Sequence, residues 1–451
     1  MLRFGPAARI TAICCLTGMA VLLLTTGCGL QSTTTPAAST ESISDTVVTP
    51  PVSPTAILSP TETTPSPPVV PETTINLTLW TVEAVSSQAG GEAGEAFGDG
   101  LRAFESAYPT ASVSVVLKND TGKGGVLDYL RTAGQVAPSV LPDVVVLDTV
   151  DLAAAARDGT LVSMDELISP TLVDDLLPAA RAAATVDDQL MGIPFEMDVE
   201  HLIYNTSKIT GTPVTWSDVL SLTAPYVFPA KGRNGLVNDA FLIQYLALGG
   251  KFQDDEGNPT LDQQLLVSAL DYYRQGSDIG VIPPDVLEVS GTEDIWPAYV
   301  SAEVGVAHAR ASDFLRDRGV LRTTQYASIP THDGEPVAIG RGRVLAITTR
   351  DPAQLGMALL LIEWLLEPEN EIAWSRAAGY LPSRYASFEL IGDSDPYWPF
   401  LEHQLEVAVP PPAFPEYDQI GRVVQQSVVE VLGGESTPEE AAAAALDAVA
   451  R

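Results

Sequence analysis

Beyond Cys28 the chain has no cysteine; Cys14, Cys15 and Cys28 are its only three in 451 residues. No disulfide can therefore brace the long body that follows, and no thiol there can act as a nucleophile or metal ligand. Histidine is nearly as scarce. His201, His308, His332 and His403 lie far apart, without the His-Glu-x-x-His spacing that holds a catalytic zinc. Basic residues are also few, 24 Lys and Arg against 58 Asp and Glu, for a formal net charge of −34. A surface that acidic repels phosphodiester backbones and anionic headgroups, so no nucleic-acid partner is expected. The sequence contains neither a Gly-x-Ser-x-Gly elbow nor a Walker-type phosphate loop. Paired carboxylates occur everywhere in so acidic a chain and give no argument for glycoside hydrolysis. The expectation is a protein that is not an enzyme, with no catalytic residue, no cofactor and no metal.

What is present begins with a leader. Arg3 and Arg9 precede an apolar run from Ile10 to Leu24, about 15 residues, short of the ~20 that span a bilayer as a helix. Small residues then lead into Leu24-Thr25-Thr26-Gly27-Cys28. This is the pattern of a secretory signal over residues 1–28, and it resembles a bacterial lipobox, which implies lipid attachment at Cys28. Thr25 stands where that pattern prefers an aliphatic residue. From residue 29 to 74 the chain is dominated by Thr, Ser, Pro, Ala and Val. Such a composition cannot bury a core, and it reads as a disordered, extended tether to the outer face of the cytoplasmic membrane.

The body from Ile75 onward is long enough for two lobes. Ile75-Asn-Leu-Thr-Leu-Trp80 alternates as a strand does, and a glycine-rich loop is expected from there to Gly100. Leu101–Tyr108 reads as a helix stopped by Pro109, and Val113–Leu117 as a strand. Asp143-Val-Val-Val-Leu147 has the continuous apolar character of a strand buried on both faces. Further strands are expected at Gly305–His308 and Arg343–Ile347. Helices are expected at Phe241–Leu248, Leu261–Arg274, Gln354–Leu366, Asn370–Ala378, Tyr417–Val431 and Pro438–Ala450. The alternation of β and α units implies an α/β fold with a mainly parallel sheet.

The order of the segments is more specific than any one of them. Phe104-Glu-Ser-Ala-Tyr-Pro109, Pro142-Asp-Val-Val-Val-Leu-Asp148 and Gly159-Thr-Leu161 come first. Gly192-Ile-Pro-Phe195 through Leu202-Ile-Tyr-Asn205, then Pro213-Val-Thr-Trp216, Gly249-Gly250 and Ile295–His308 follow. Ala358–Glu369, Gly379-Tyr-Leu-Pro-Ser-Arg384 and Thr437-Pro-Glu-Glu-Ala-Ala complete the series. Together they resemble bacterial extracellular solute-binding proteins of family 1, the sugar-binding receptors of ABC importers. The resemblance implies a periplasmic-binding-protein-like, type II fold, with two α/β lobes joined by a hinge around a ligand cleft. Lobe 1 is expected at 75–195 plus about 311–347, and lobe 2 at 196–310 plus about 348–451. It implies capture of a saccharide or other polyhydroxylated solute by cleft closure, and delivery to permease subunits in the membrane. The alternative is a surface lipoprotein that binds a ligand for sensing or adhesion.

Candidate ligand-binding residues follow from both readings. Trp80, Glu83 and Asp148 lie at or just past strand ends, where a parallel sheet places its crevice; Trp80 could equally be core and Asp148 a helix cap. Glu196 and Asp198 match the cleft-lining first crossover of the family. Trp296 and Tyr299, at helical spacing, are either core or near the second crossover. Arg310 and Arg341 stand where many sugar binders carry aromatic or glycine residues, and a guanidinium there suits a carboxylate, phosphate or hydroxyl-rich ligand. Tyr380 lies in the Gly-Tyr-Leu-Pro loop.

Overall fold

A computed structural model describes residues 74–450 of the chain. The leader, Cys28 and the tether up to residue 73 lie outside the described residues. Eleven strands are present: β1 Ile75–Val82, β2 Ala111–Lys118, β3 Val144–Asp148, β4 Thr185–Val186, β5 Gln189–Leu190, β6 Ile193–Asn205, β7 Tyr226–Val227, β8 Val306–Arg310, β9 Thr324–Ala327, β10 Ala338–Ile347 and β11 Ala408–Val409. Helices cover the sheet, making a mixed α/β fold.

The sheet order is β2-β1-β3-β10-β6-β8-β7, with β9 added on β6 and β11 on β10. β1 is parallel to β2 and β3, as expected for strands linked through helices. Val144 to Leu147 are all fully buried, which explains their unbroken apolar run. β6 and β10 change the character of the sheet. β6 pairs antiparallel with β10 through Ile193–Val199, then with β8 and β9 through Glu200–Asn205. A single strand of 13 residues thus belongs to both halves of the sheet.

The second half of the stretch expected as a glycine-rich loop is helical and runs on into the helix expected from Leu101, forming one helix, Gly91–Ala107. Gly94 and Gly98 are buried on one face of it. A Cβ on Gly94 would sit 3.3 Å from the Ser87 carbonyl oxygen, and one on Gly98 would sit 3.2 Å from the Ser87 side chain. These glycines let the helix fold tightly back on the turn that precedes it.

The path of the chain after β8 also differs from the expected division. β9 hydrogen-bonds Leu202–Asn205, on the side of the sheet that holds β8 and β7, although 311–347 was expected with the first lobe. The helices Pro352–Leu365 and Pro368–Ala378 pack the other way. Trp364 donates to the Gly100 carbonyl at 3.1 Å and packs edge-on to Phe104 and Tyr108. Trp374 stacks on Phe195 and meets Phe97 edge-on. The cause is β10. Its last residues, Val344–Ile347, pair with Val144–Leu147 of β3, returning the chain to the first half before those helices begin.

Candidate functional site

Alternate residues of a strand share a face, so Glu196, Asp198 and Glu200 of β6 form a row of carboxylates. The pairing register sets an arginine opposite each of them: Arg343 and Arg341 of β10 face Glu196 and Asp198, and Arg310 of β8 faces Glu200. Close approach of β6 and β10 is possible because Gly342 lies between the two arginines; a Cβ there would run into the Glu196 carbonyl oxygen. The result is a charged ladder where the two halves of the sheet share their strands.

The three arginines are held differently. Arg343 binds Glu196 with one terminal nitrogen and donates to Asp120 Oδ2 at 2.8 Å with the other. Arg341 grips Asp239 through two parallel bonds of 2.7 and 2.6 Å, the bidentate geometry that suits a guanidinium. Asp239 opens the helix Asp239–Ala247, capped by Asn238. Desolvation works against both charges, yet Asp239 and Glu196 hold Arg341 and Arg343 above the usual arginine range. Arg310 has no hydrogen-bond or ion-pair partner among the described residues, although Asp198, Glu200 and Glu293 favour its charge from a distance.

The carboxylates carry the cost of burial. Glu196 is fully buried and pushed up to about 7 by desolvation, which the Arg343 contact only partly offsets; its second oxygen has no partner. Asp198 rises to about 6 through burial, although it accepts from the Ser312 hydroxyl at 2.6 Å and the Ser312 amide at 3.2 Å. Glu200 lies 3.4 Å from Nδ1 of His308, whose Nε2 meets the Tyr226 hydroxyl at 2.6 Å.

Loops complete the cluster. Asp148 caps the helix Thr149–Arg157 by accepting the Val150 amide at 3.0 Å, and it pairs in register with Arg343. Thr149 accepts from the Gly342 amide at 3.2 Å. Asp151 is raised to about 6 by burial and then by the Asp148 charge. Tyr380 is brought in by backbone bonds between Leu381 and Met197, and the Arg343 guanidinium lies 5.9 Å from its ring. The hydroxyl of Tyr380 is held above its ordinary value by burial and by Glu196.

Of the expected site residues, Asp148, Glu196, Asp198, Arg310, Arg341 and Tyr380 are therefore brought together. The other four lie elsewhere. Trp80 is buried in β1 beneath Lys118, whose ammonium sits 4.4 Å from its ring. Glu83 is exposed in the turn after β1, where its carbonyl accepts from Ser86. Trp296 and Tyr299 stack on each other in the core, with the indole N–H donated to Asp317 at 2.6 Å and the hydroxyl to Thr324 at 3.1 Å. Their polar ends are committed. Sequence reasoning passed over Asp120, Asp151, Glu200, Asp239, Glu293, Ser312 and Arg343. Strand alternation from Glu196 and Arg341 points to Glu200 and Arg343, whereas nothing local marks the rest.

A cavity of about 520 Å³ opens beyond Thr149, walled by Ala153, Val186, Pro411 and Phe414 together with Arg157, Asp187 and Gln253. It contains none of the ladder's charged side chains, and it lies away from the strands that join the two halves of the sheet. The ladder is the better candidate for the site. Among the described residues no group of three or more His, Cys, Asp or Glu is arranged to hold a metal ion.

The chain resembles known proteins along most of its length. A family model described as bacterial extracellular solute-binding protein matches residues 102–398. The maltotriose-binding protein of Pyrococcus abyssi (strain GE5 / Orsay) is 25% identical over 123 residues, 26% of this chain and 27% of that protein. That match spans about a quarter of the relative. Among solved structures, the cyclic alpha-maltosyl-1,6-maltose binding protein from Arthrobacter globiformis superposes with a TM-score of 0.69 at 20% identity, over 83% of this chain and 98% of that one. An ABC transporter solute-binding protein from Thermotoga lettingae TMO, bound with alpha-D-tagatose, gives 0.65 at 23% identity over 83% and 98%. At these identities the likeness establishes the fold, the two-lobed type II plan of periplasmic binding proteins.

Proposed function

Since the chain belongs to the bacterial extracellular solute-binding protein family, we propose that it is the lipid-anchored receptor of an ABC-type importer that captures a saccharide and performs no chemistry on it. The observation that carries this reading is the ladder of Glu196, Asp198 and Glu200 against Arg343, Arg341 and Arg310. Oriented carboxylates and guanidiniums match the rim of a sugar, whose hydroxyls both donate and accept. All but Arg310 stand on β6 and β10, the strands that join the halves of the sheet, so a ligand bonded there bears on the angle between lobes, the hinge motion of binding proteins generally. The ligands of the relatives, maltotriose and tagatose among them, point to the same class.

The pairings suggest how the lobes divide. In this reading lobe 1 takes the chain up to β6 together with the helices after β10, and lobe 2 takes the segment between β6 and β10 with the C-terminal helices. Cys28 carries the lipid, the Thr/Pro-rich segment spaces the body from the membrane, and permease subunits receive the closed, loaded form.

A thermal-shift screen of the intact protein against neutral saccharides from glucose to maltotetraose, with tagatose included, tests the receptor reading. A ligand at 100 times its Kd adds about 2.7 kcal/mol of stability by linkage, so at least one sugar is expected to raise Tm measurably. A flat response across the panel would overturn the saccharide assignment.

A further inference from the structure

We infer that Arg310 is kept uncommitted to donate to a neutral ligand oxygen, and that the carboxylates around it bar acidic saccharides. The inference rests on the saccharide-receptor reading and adds to it a rule for ligand charge.

The ladder contains three guanidiniums, and two are occupied. Arg343 is shared between Glu196 and Asp120, and Arg341 is engaged by Asp239 through Nε and one terminal nitrogen. Arg310 ends β8 directly opposite Glu200, yet no carboxylate lies within ion-pair distance of its nitrogens among the described residues. Ser312, two residues on, is bonded to Asp198. A half-buried guanidinium with no protein partner has donors left for an incoming oxygen. A guanidinium offers its donors in a fixed planar fork, and a bond from a charged donor is stronger than one from a neutral donor.

The charge of that oxygen follows from the surroundings. Asp198, Glu200 and Glu293 all act on Arg310. A ligand carboxylate would meet the positive charges of Arg310 and Arg341 against the negative charges of Asp198, Glu200 and Glu293, an excess of negative charge in partly desolvated surroundings, where such repulsions are weakly screened. A hydroxyl or ring oxygen takes the same donors without that opposition. Discrimination here comes from the repulsive element as much as from the attractive one. Glu293 is the adjustable member of the group, because it lies half-exposed at the start of the helix Thr292–Val300 and is paired with Arg233.

The test uses calorimetric titration with matched probes: glucose and glucuronate, and maltotriose and maltotriose oxidised to the carboxylate at a terminal C6. For the neutral sugar that binds, the wild type is expected to prefer it over its carboxylate partner by at least about tenfold at low salt. Arg310→Met should weaken neutral binding on the order of 10- to 100-fold, with Arg310→Lys between the two. Glu293→Gln, at an exposed position that folding tolerates, should narrow the gap between neutral and acidic probes. Equal or tighter binding of the carboxylate, or unchanged affinity in Arg310→Met, would overturn the inference and leave the saccharide receptor standing. Binding of no sugar at all removes that reading, and this inference falls with it.

Discussion

Asp151 sits at the first turn of the helix Thr149–Arg157 with Asp148 beside it, and burial together with that neighbour lifts it from the ordinary 3.8 to about 6. Between those two values the folded protein holds a proton that the unfolded chain has released. Stability contributed by this group is therefore present below about pH 4 and is lost as the pH rises through 6. Asp198, also raised to about 6 by burial, acts in the same direction. Asp151→Asn should flatten that decline and raise Tm at pH 7.5 by about 2–4 °C, read by scanning calorimetry from pH 4 to 7.5. Identical profiles for variant and wild type would show that the carboxyl is solvated. At this scale the sequence was partly legible. Arg310 and Arg341 stood out because they depart from a known pattern, but only the structure separates a bidentate partner of Asp239 from an arginine with none. Asp120 and Asp239 bond arginines 223 and 102 residues away, and no local signal announces a contact made that far along the chain.

Strands and helices were read best where one period dominated. β1 and β3 followed directly from alternation and from an unbroken apolar run, and the C-terminal helices from their periodicity. The final helix, Pro438–Val449, carries a reciprocal Thr437–Glu440 cap. β10 was legible only in its second half, since Ala338-Ile-Gly-Arg-Gly-Arg343 mixes glycine and charge in place of an apolar pattern. The same mixture is what the packing requires. Gly342→Ala would drive a methyl into the Glu196 carbonyl oxygen and force β6 and β10 apart. A loss of about 1–3 kcal/mol is expected, as for other overpacked sites, measured by urea unfolding, with Gly356→Ala as the control because nothing lies within 4 Å of its Cβ direction. Equal midpoints for the two variants would mean that the strands already have room to spare. Of the helix Gly91–Ala107 only the part from Leu101 is legible in the sequence, for a related reason: glycine marks a loop by composition, whereas here it serves close packing of a helix on its own entry turn.

For the whole molecule, at a formal charge of −34, the lack of any cysteine after residue 28 means that no disulfide braces the body and its core alone must hold it; in the proposed receptor Cys28 is the point of lipid attachment. Cys28→Ser is expected to abolish labelling by a fatty-acid analogue and to move the protein from the membrane fraction to the medium or periplasm. Continued membrane association of the variant would identify the apolar leader itself as the anchor. The uninterrupted course of β6 has one more consequence, and it concerns how such a receptor can diverge. Glu196, Asp198 and Glu200 are set in a strand that both halves of the sheet hydrogen-bond; in the proposed receptor, replacing any of them would disturb the joint in the sheet together with ligand binding. Asp120 and Glu293 stand on the periphery, in a loop and at a helix start, where a new side chain need not disturb the sheet. A change of diet in this lineage would be written first in those outer residues, while the inner row keeps the joint intact.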